Sequence, residues 1–129
     1  MIIVVILAVQ NYIMPQISPE EVMQKVSKGK PYTLMFLITG KALELEENIV
    51  NQLQMQHLAH LFTLEQEGKA SVFGPVSNNE RLRGIIIFNT ASKEDIAGWM
   101  ANDPYIKGGY LIYELYDFFT IPGQQILNY

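Results

Sequence analysis

The chain has 129 residues, enough for one domain with an additional piece at its front, and 49% of them are hydrophobic against 17% charged. That balance excludes a disordered chain and supplies a sizeable core. A net charge of −4 without a basic, aromatic-interleaved cluster speaks against nucleic acid as a main partner, and the absence of cysteine excludes disulfides, thiol nucleophiles and Cys-based metal or iron–sulfur sites.

Met1 to Val9 is a continuous apolar run. It is too short to cross a bilayer as a helix, so no stable membrane insertion is expected. It reads as the remnant of an export leader, although no Lys or Arg precedes it. The alternative is a β-branched strand or arm that packs on this chain or a neighbour, with the protein then cytoplasmic. Ser18-Pro19-Glu20-Glu21 follows as a helix start: Ser18 as N-cap, Pro19 at the first helical position and Glu21 closing a capping box. Gly29 is the expected stop.

Tyr32 to Thr39 is almost wholly apolar and reads as a central strand covered on both faces. Gly40-Lys41 turns the chain into a long helix from Glu44 to Gly68. At about 100° per residue, Ile49, Val50, Leu53, Leu61 and Leu64 form one apolar stripe. His57 falls in the middle of that stripe and His60 on its edge. An imidazole on a buried face costs desolvation unless its nitrogens find partners. What His57 meets is therefore the first functional question.

Ala70 to Val76 is the next strand, closed by Gly74-Pro75 and the turn Ser77-Asn78-Asn79-Glu80, and Gly84 to Asn89 the third. Ser92-Lys93-Glu94-Asp95 starts a second helix, with Ser92 as its N-cap. Pro104 disfavours helix at Asp103, which becomes a boundary residue. Gly108-Gly109 then leads into a last strand, Tyr110 to Phe118, with Leu111, Tyr113, Leu115 and Asp117 on one face. The tail, 120–129, has a Pro122-Gly123 turn and no clear element.

Strand, helix, strand, strand, helix, strand is the order of an α+β, ferredoxin-like βαββαβ sandwich, here with an extra N-terminal helix. The division expected is an arm and short helix over 1–31, the sandwich over 32–119 and a tail over 120–129. Both helices would cover one sheet face. The other face is too apolar for water, so a homodimer or higher homo-oligomer is expected.

Several segments together resemble the YCII-related family. They are His57-Leu58-Ala59-His60-Leu61 with Gly68-Lys69, Phe73-Gly74-Pro75, Arg83-Gly84-Ile85-Ile86 feeding Ser92-Lys93-Glu94-Asp95, and Ala101-Asn102-Asp103-Pro104-Tyr105 with Gly108-Gly109. The resemblance runs from Tyr32 to Phe119. It implies a dimeric α+β barrel with a His–Asp pair as the active site, carried here by His57 and Asp103. One relative acts as a dehydrochlorinase on a chlorinated aromatic ring, and most members have no assigned reaction.

The chemistry of the two residue types agrees with that implication. Histidine is the side chain most easily tuned to take and return a proton near neutral pH. A carboxylate fixes its tautomer and stabilises the imidazolium. The expectation is a cofactor-independent enzyme of lyase or isomerase type, acting on a small organic molecule by proton transfer. The alternative is a non-catalytic ligand-binding or assembly module in which the pair is structural. Around the pair, His60, Gly74, Pro75, Arg83 and Tyr105 are candidates for substrate binding, each with a plainer reading. His60 could be an edge residue bonded to water or to backbone, Gly74-Pro75 an ordinary turn, Arg83 with Arg81 a solvated loop, and Tyr105 a packing residue. No metal is expected, because no acidic ligand flanks the histidines on the helix face. No phosphate-binding loop or nucleophile elbow is present.

Overall fold

The computed structural model describes residues 16–128. The apolar run Met1–Val9 lies outside them. Pro31–Thr120 forms one compact unit and is described by itself. The elements in chain order are α1 (Pro19–Ser27), β1 (Lys30–Thr39), α2 (Glu47–Gln66), β2 (Ala70–Pro75), β3 (Leu82–Phe88), α3 (Lys93–Met100), α4 (Pro104–Lys107) and β4 (Leu111–Thr120). The four-stranded sheet runs β2-β3-β1-β4. β3 pairs antiparallel with both β1 and β2. The expected α+β order is therefore the observed one, with β1 in the sheet interior.

Register decides which side chains enter the core. Thr33 opposes Phe88 and Met35 opposes Ile86, so these share one face. On that face Met35, Leu37, Ile86 and Phe88 meet Leu61 and Leu64 of α2 and Ile96 and Met100 of α3. Each large side chain removed from water here contributes roughly 1.5–3 kcal/mol. Leu111, Tyr113 and Leu115 of β4 pack against the same cluster, as their alternation in sequence predicts. The opposite face keeps Ile112 and Tyr116 exposed. No described helix is long and apolar enough to cross a membrane.

Caps behave as the sequence predicts where a capping side chain exists. Ser18 Oγ accepts from the Glu21 N–H at 3.2 Å, and Ser92 Oγ from the Asp95 N–H at 3.2 Å. α2 differs from expectation at its start. It begins at Glu47 rather than Glu44, with Glu46 as an N-cap that makes no side-chain bond. Without a Ser, Thr, Asp or Asn there, no residue marks the boundary. The stripe is also shorter than the periodicity predicts: His57, Leu61 and Leu64 are buried, whereas Ile49 is exposed. α4 is an element that the sequence reading left within a loop.

Two local features shape the sheet end that bears the cleft described below. Leu37 opposes Gly84 and Ile38 opposes Leu82, so Arg83 is an extra residue on β3, a bulge. Beyond the end of β1, the Gly40 N–H donates to the Tyr110 carbonyl and the Lys41 N–H to that of Gly109, both at 2.9 Å. This seam needs glycine, since a Cβ at position 40 would lie 2.2 Å from the Gly109 carbonyl oxygen. Gly40→Ala is expected to destabilise the domain by roughly 1–3 kcal/mol through forced backbone displacement. Urea unfolding of the variant checks this, and an unchanged midpoint would refute it.

Candidate functional site

The site begins with the break between α3 and α4. Pro104 occupies the first turn of α4 and Asp103 is its N-cap. Asp103 Oδ1 accepts from the backbone N–H groups of Tyr105 (2.9 Å) and Ile106 (3.3 Å). These bonds fix the carboxylate plane and turn Oδ2 towards α2. There it meets His57 Nδ1 at 2.6 Å and His60 Nδ1 at 3.2 Å. Asp103 is wholly buried, and its partners are two backbone N–H groups and two imidazole nitrogens. Burial alone would raise its pKa. The hydrogen bond and charge of His57, then the bonds from His60 and the Ile106 N–H, outweigh burial and hold the carboxyl below its ordinary value.

An ionised carboxylate can only accept, so His57 donates through Nδ1. The lone pair of the neutral ring is then on Nε2, which makes no hydrogen bond to the described residues. His57 is 8% exposed, and that remnant opens on a cleft. Tyr105 packs edge-on against the imidazole, with ring centroids 4.9 Å apart. His57 is thus held on one side by a carboxylate, on another by an aromatic ring, and left open at one nitrogen.

The cleft has a volume of about 740 Å³. Leu58, Leu61, Phe62, Phe73 and Leu111 give it apolar walls, and Gln54, Arg83, Tyr105 and Lys41 are among its polar groups. Sites for small organic molecules are typically of this size and mixture. The residues singled out in the sequence separate here into two groups. His57, Gly74, Pro75, Arg83 and Tyr105 all line the cleft. Asp103 and His60 do not; they stand behind His57. His60 faces acceptors at both ring nitrogens, Asp103 Oδ2 and, at 3.0 Å, the Trp99 carbonyl. A neutral ring can donate to only one of them.

Thr39, Lys41, Glu80 and Tyr110 also line the cleft without a signal in the sequence, and Gln54, which the sequence reading also passed over, lines it too. It lies one helical turn before His57, and its Oε1 accepts from the Tyr105 hydroxyl at 2.7 Å. Spacing i, i+3 from His57 was the available signal. Burial, with the nearby Asp103 charge, pushes the Tyr105 pKa above its usual value and keeps its hydroxyl a donor. Among the described residues no group of three or more His, Cys, Asp or Glu is placed to hold a metal ion. The chemistry available is that of an imidazole able to accept and return a proton within a mostly apolar cleft.

The depressed Asp103 pKa has a consequence for stability. Its contribution is complete above the ordinary carboxylate pKa of about 3.9 and is lost as pH falls from there through the lower folded-state value. Urea midpoints are therefore expected to fall steeply below about pH 4. Asp103→Asn should lose roughly 1–3 kcal/mol at pH 7 and flatten that acid limb. A parallel acid limb in the variant would assign the loss to other groups.

Among curated proteins none matches the sequence significantly. In fold, the chain is similar to muconolactone isomerase, with a TM-score of 0.57 at 12% identity over 75% of this chain and 97% of that one. A second similar structure is the 5-chloro-2-hydroxyhydroquinone dehydrochlorinase from Burkholderia phenoliruptrix AC1100, solved with 2,5-dihydroxybenzoquinone. It gives a TM-score of 0.49 at 18% identity, over 65% of this chain and 90% of that one. Residues 34–119, which contain the whole His57–Asp103 arrangement and its cleft, match the YCII-related domain, and the chain belongs to that family.

Proposed function

We propose that this protein is a small-molecule enzyme that moves a proton on an organic substrate, by isomerisation or elimination, with His57 as the acid–base group. The observation that carries the reading is the 2.6 Å bond from His57 to buried Asp103, with the other imidazole nitrogen left to the cleft. His57 Nε2 takes the proton from a substrate carbon. Asp103 stabilises the imidazolium formed and prevents the ring from turning. It does not reach the cleft, so it acts as a positioning residue. His60 lies behind His57 and positions the same carboxylate. The apolar walls limit the water that competes for the imidazole. Arg83 and Lys41 favour a substrate that carries some negative charge, and Gly74 and Pro75 form part of the lining. No cofactor enters this mechanism.

The test is exchange of substrate carbon-bound hydrogen for deuterium, followed by proton NMR in D2O with small cyclic ketones and aromatic acids. Exchange by the wild type should fall about 10²–10⁴-fold in His57→Gln. Exchange that survives this substitution would remove His57 from the reaction.

The assembly reading keeps one supporting observation. Leu34, Phe36 and Ile87 share the sheet face away from the helices with Ile112 and Tyr116, the last two exposed. The partner proposed for that face is a second copy of this chain. Ile112→Lys should shift the sedimentation of the full chain from dimer towards monomer. A wild type that sediments as a monomer would overturn this.

A further inference from the structure

Proton removal from carbon leaves charge that must be held elsewhere. The pair described above supplies a base, and nothing in it supplies a donor for that charge. Among the polar groups of the cleft, Gln54 is the one anchored at His57. It is one turn away on the same face of α2, and its carbonyl oxygen is occupied by the Tyr105 hydroxyl at 2.7 Å. Tyr105 in turn lies edge-on against the His57 ring. With Oε1 taken, the two N–H bonds of the Gln54 amide are the part left for an occupant of the cleft that it lines. Two other donors of the cleft have a contact away from His57. Lys41 Nζ lies 4.9 Å above the Tyr110 ring, and Arg83 Nη1 donates to the Asn79 carbonyl at 2.9 Å.

We propose that Gln54 is an oxyanion donor and that the substrate is an enolisable carbonyl compound. This rests on the acid–base reading of His57 and deepens it. In the step, His57 Nε2 takes a proton from the carbon next to a carbonyl. The C–H electron pair becomes the C=C bond of an enolate, and the carbonyl π pair moves to oxygen. The Gln54 N–H bonds that oxygen. Where a C=C bond is conjugated with the enolate, collapse returns the proton from His57 at the far carbon of that system; where the next carbon bears a leaving group, collapse forms a C=C bond there, the group departs with its bonding pair, and His57 releases its proton to solvent. Gln54 touches the substrate and Tyr105 positions Gln54. Tyr105 fixes which end of the amide faces the cleft, and without it the amide is free to present its oxygen, which repels an enolate.

Two probes test this, with 2-indanone as the carbon acid and 4-nitrophenolate as the stable oxyanion. The variants are Gln54→Leu and Tyr105→Phe. Gln54 is exposed, so its replacement leaves the core intact, and circular dichroism checks the fold of both. Deuterium exchange into 2-indanone should fall about 10²–10³-fold in Gln54→Leu. The wild type should bind 4-nitrophenolate more tightly than neutral nitrobenzene. Gln54→Leu should lose that preference while still binding nitrobenzene, and Tyr105→Phe should weaken it. A packing role for either residue would not move the preference. Exchange that needs His57 but is untouched by Gln54→Leu overturns the donor role and leaves the acid–base reading standing. A wild type that exchanges no proton of 2-indanone overturns the enolate step. A phenolate preference that is absent, or unchanged in Gln54→Leu, overturns the oxyanion site.

Discussion

A carboxylate with no lysine or arginine among its partners is the constraint around which this domain is arranged. An unpaired buried charge would be prohibitively costly. Asp103 avoids that cost by accepting from two backbone N–H groups and from His57, with His60 Nδ1 also in contact. The backbone bonds exist only because Pro104 ends one helical path and starts α4. The imidazole bonds exist only because α2 crosses at the right height. Packing of α2 on the sheet through Leu61 and Leu64 therefore also sets the geometry of the His57–Asp103 pair.

The two oxygens of that carboxylate have separate duties. Oδ1 faces the backbone and fixes orientation, while Oδ2 faces the histidines. His57 thus presents one tautomer, with its lone pair on the cleft side. A histidine on a solvated surface would have to reach this arrangement from many rotamers and both tautomers. Here packing and hydrogen bonding select it in advance, which is the preorganisation that the proposed acid–base role needs.

Much of this was legible in the sequence because the relevant signals are local. The helix stripe interrupted by His57 marks a buried imidazole. Asp-Pro marks a boundary carboxylate, and the order of strands and helices gives the sheet. What was not legible depends on groups that leave no pattern. The start of α2 is unmarked because Glu46 caps without a side-chain bond. The place of His60 is set in part by the carbonyl of Trp99, and a backbone acceptor has no signature in residue type. Gln54 on a polar helix turn looks like any solvated glutamine until the fold brings Tyr105 to it. The same Asp-Pro pair that was read as a helix stop is also a helix start, which is how α4 was passed over.

The segment from Asp103 to Tyr110 carries a further implication. At one end it supplies the anchor behind His57. At the other, the Tyr110 and Gly109 carbonyls accept from Gly40 and Lys41. Between them the Tyr110 N–H donates to the Tyr105 carbonyl at 2.9 Å. Tyr110 and Lys41 also line the cleft. Back wall and side wall are thus one short strap of chain, hydrogen-bonded to itself and to the residues that follow β1. Reshaping the cleft at Tyr110 and keeping the imidazole at its post are mechanically linked, and changes that move Tyr110 would act on His57 as well as on the room beside it.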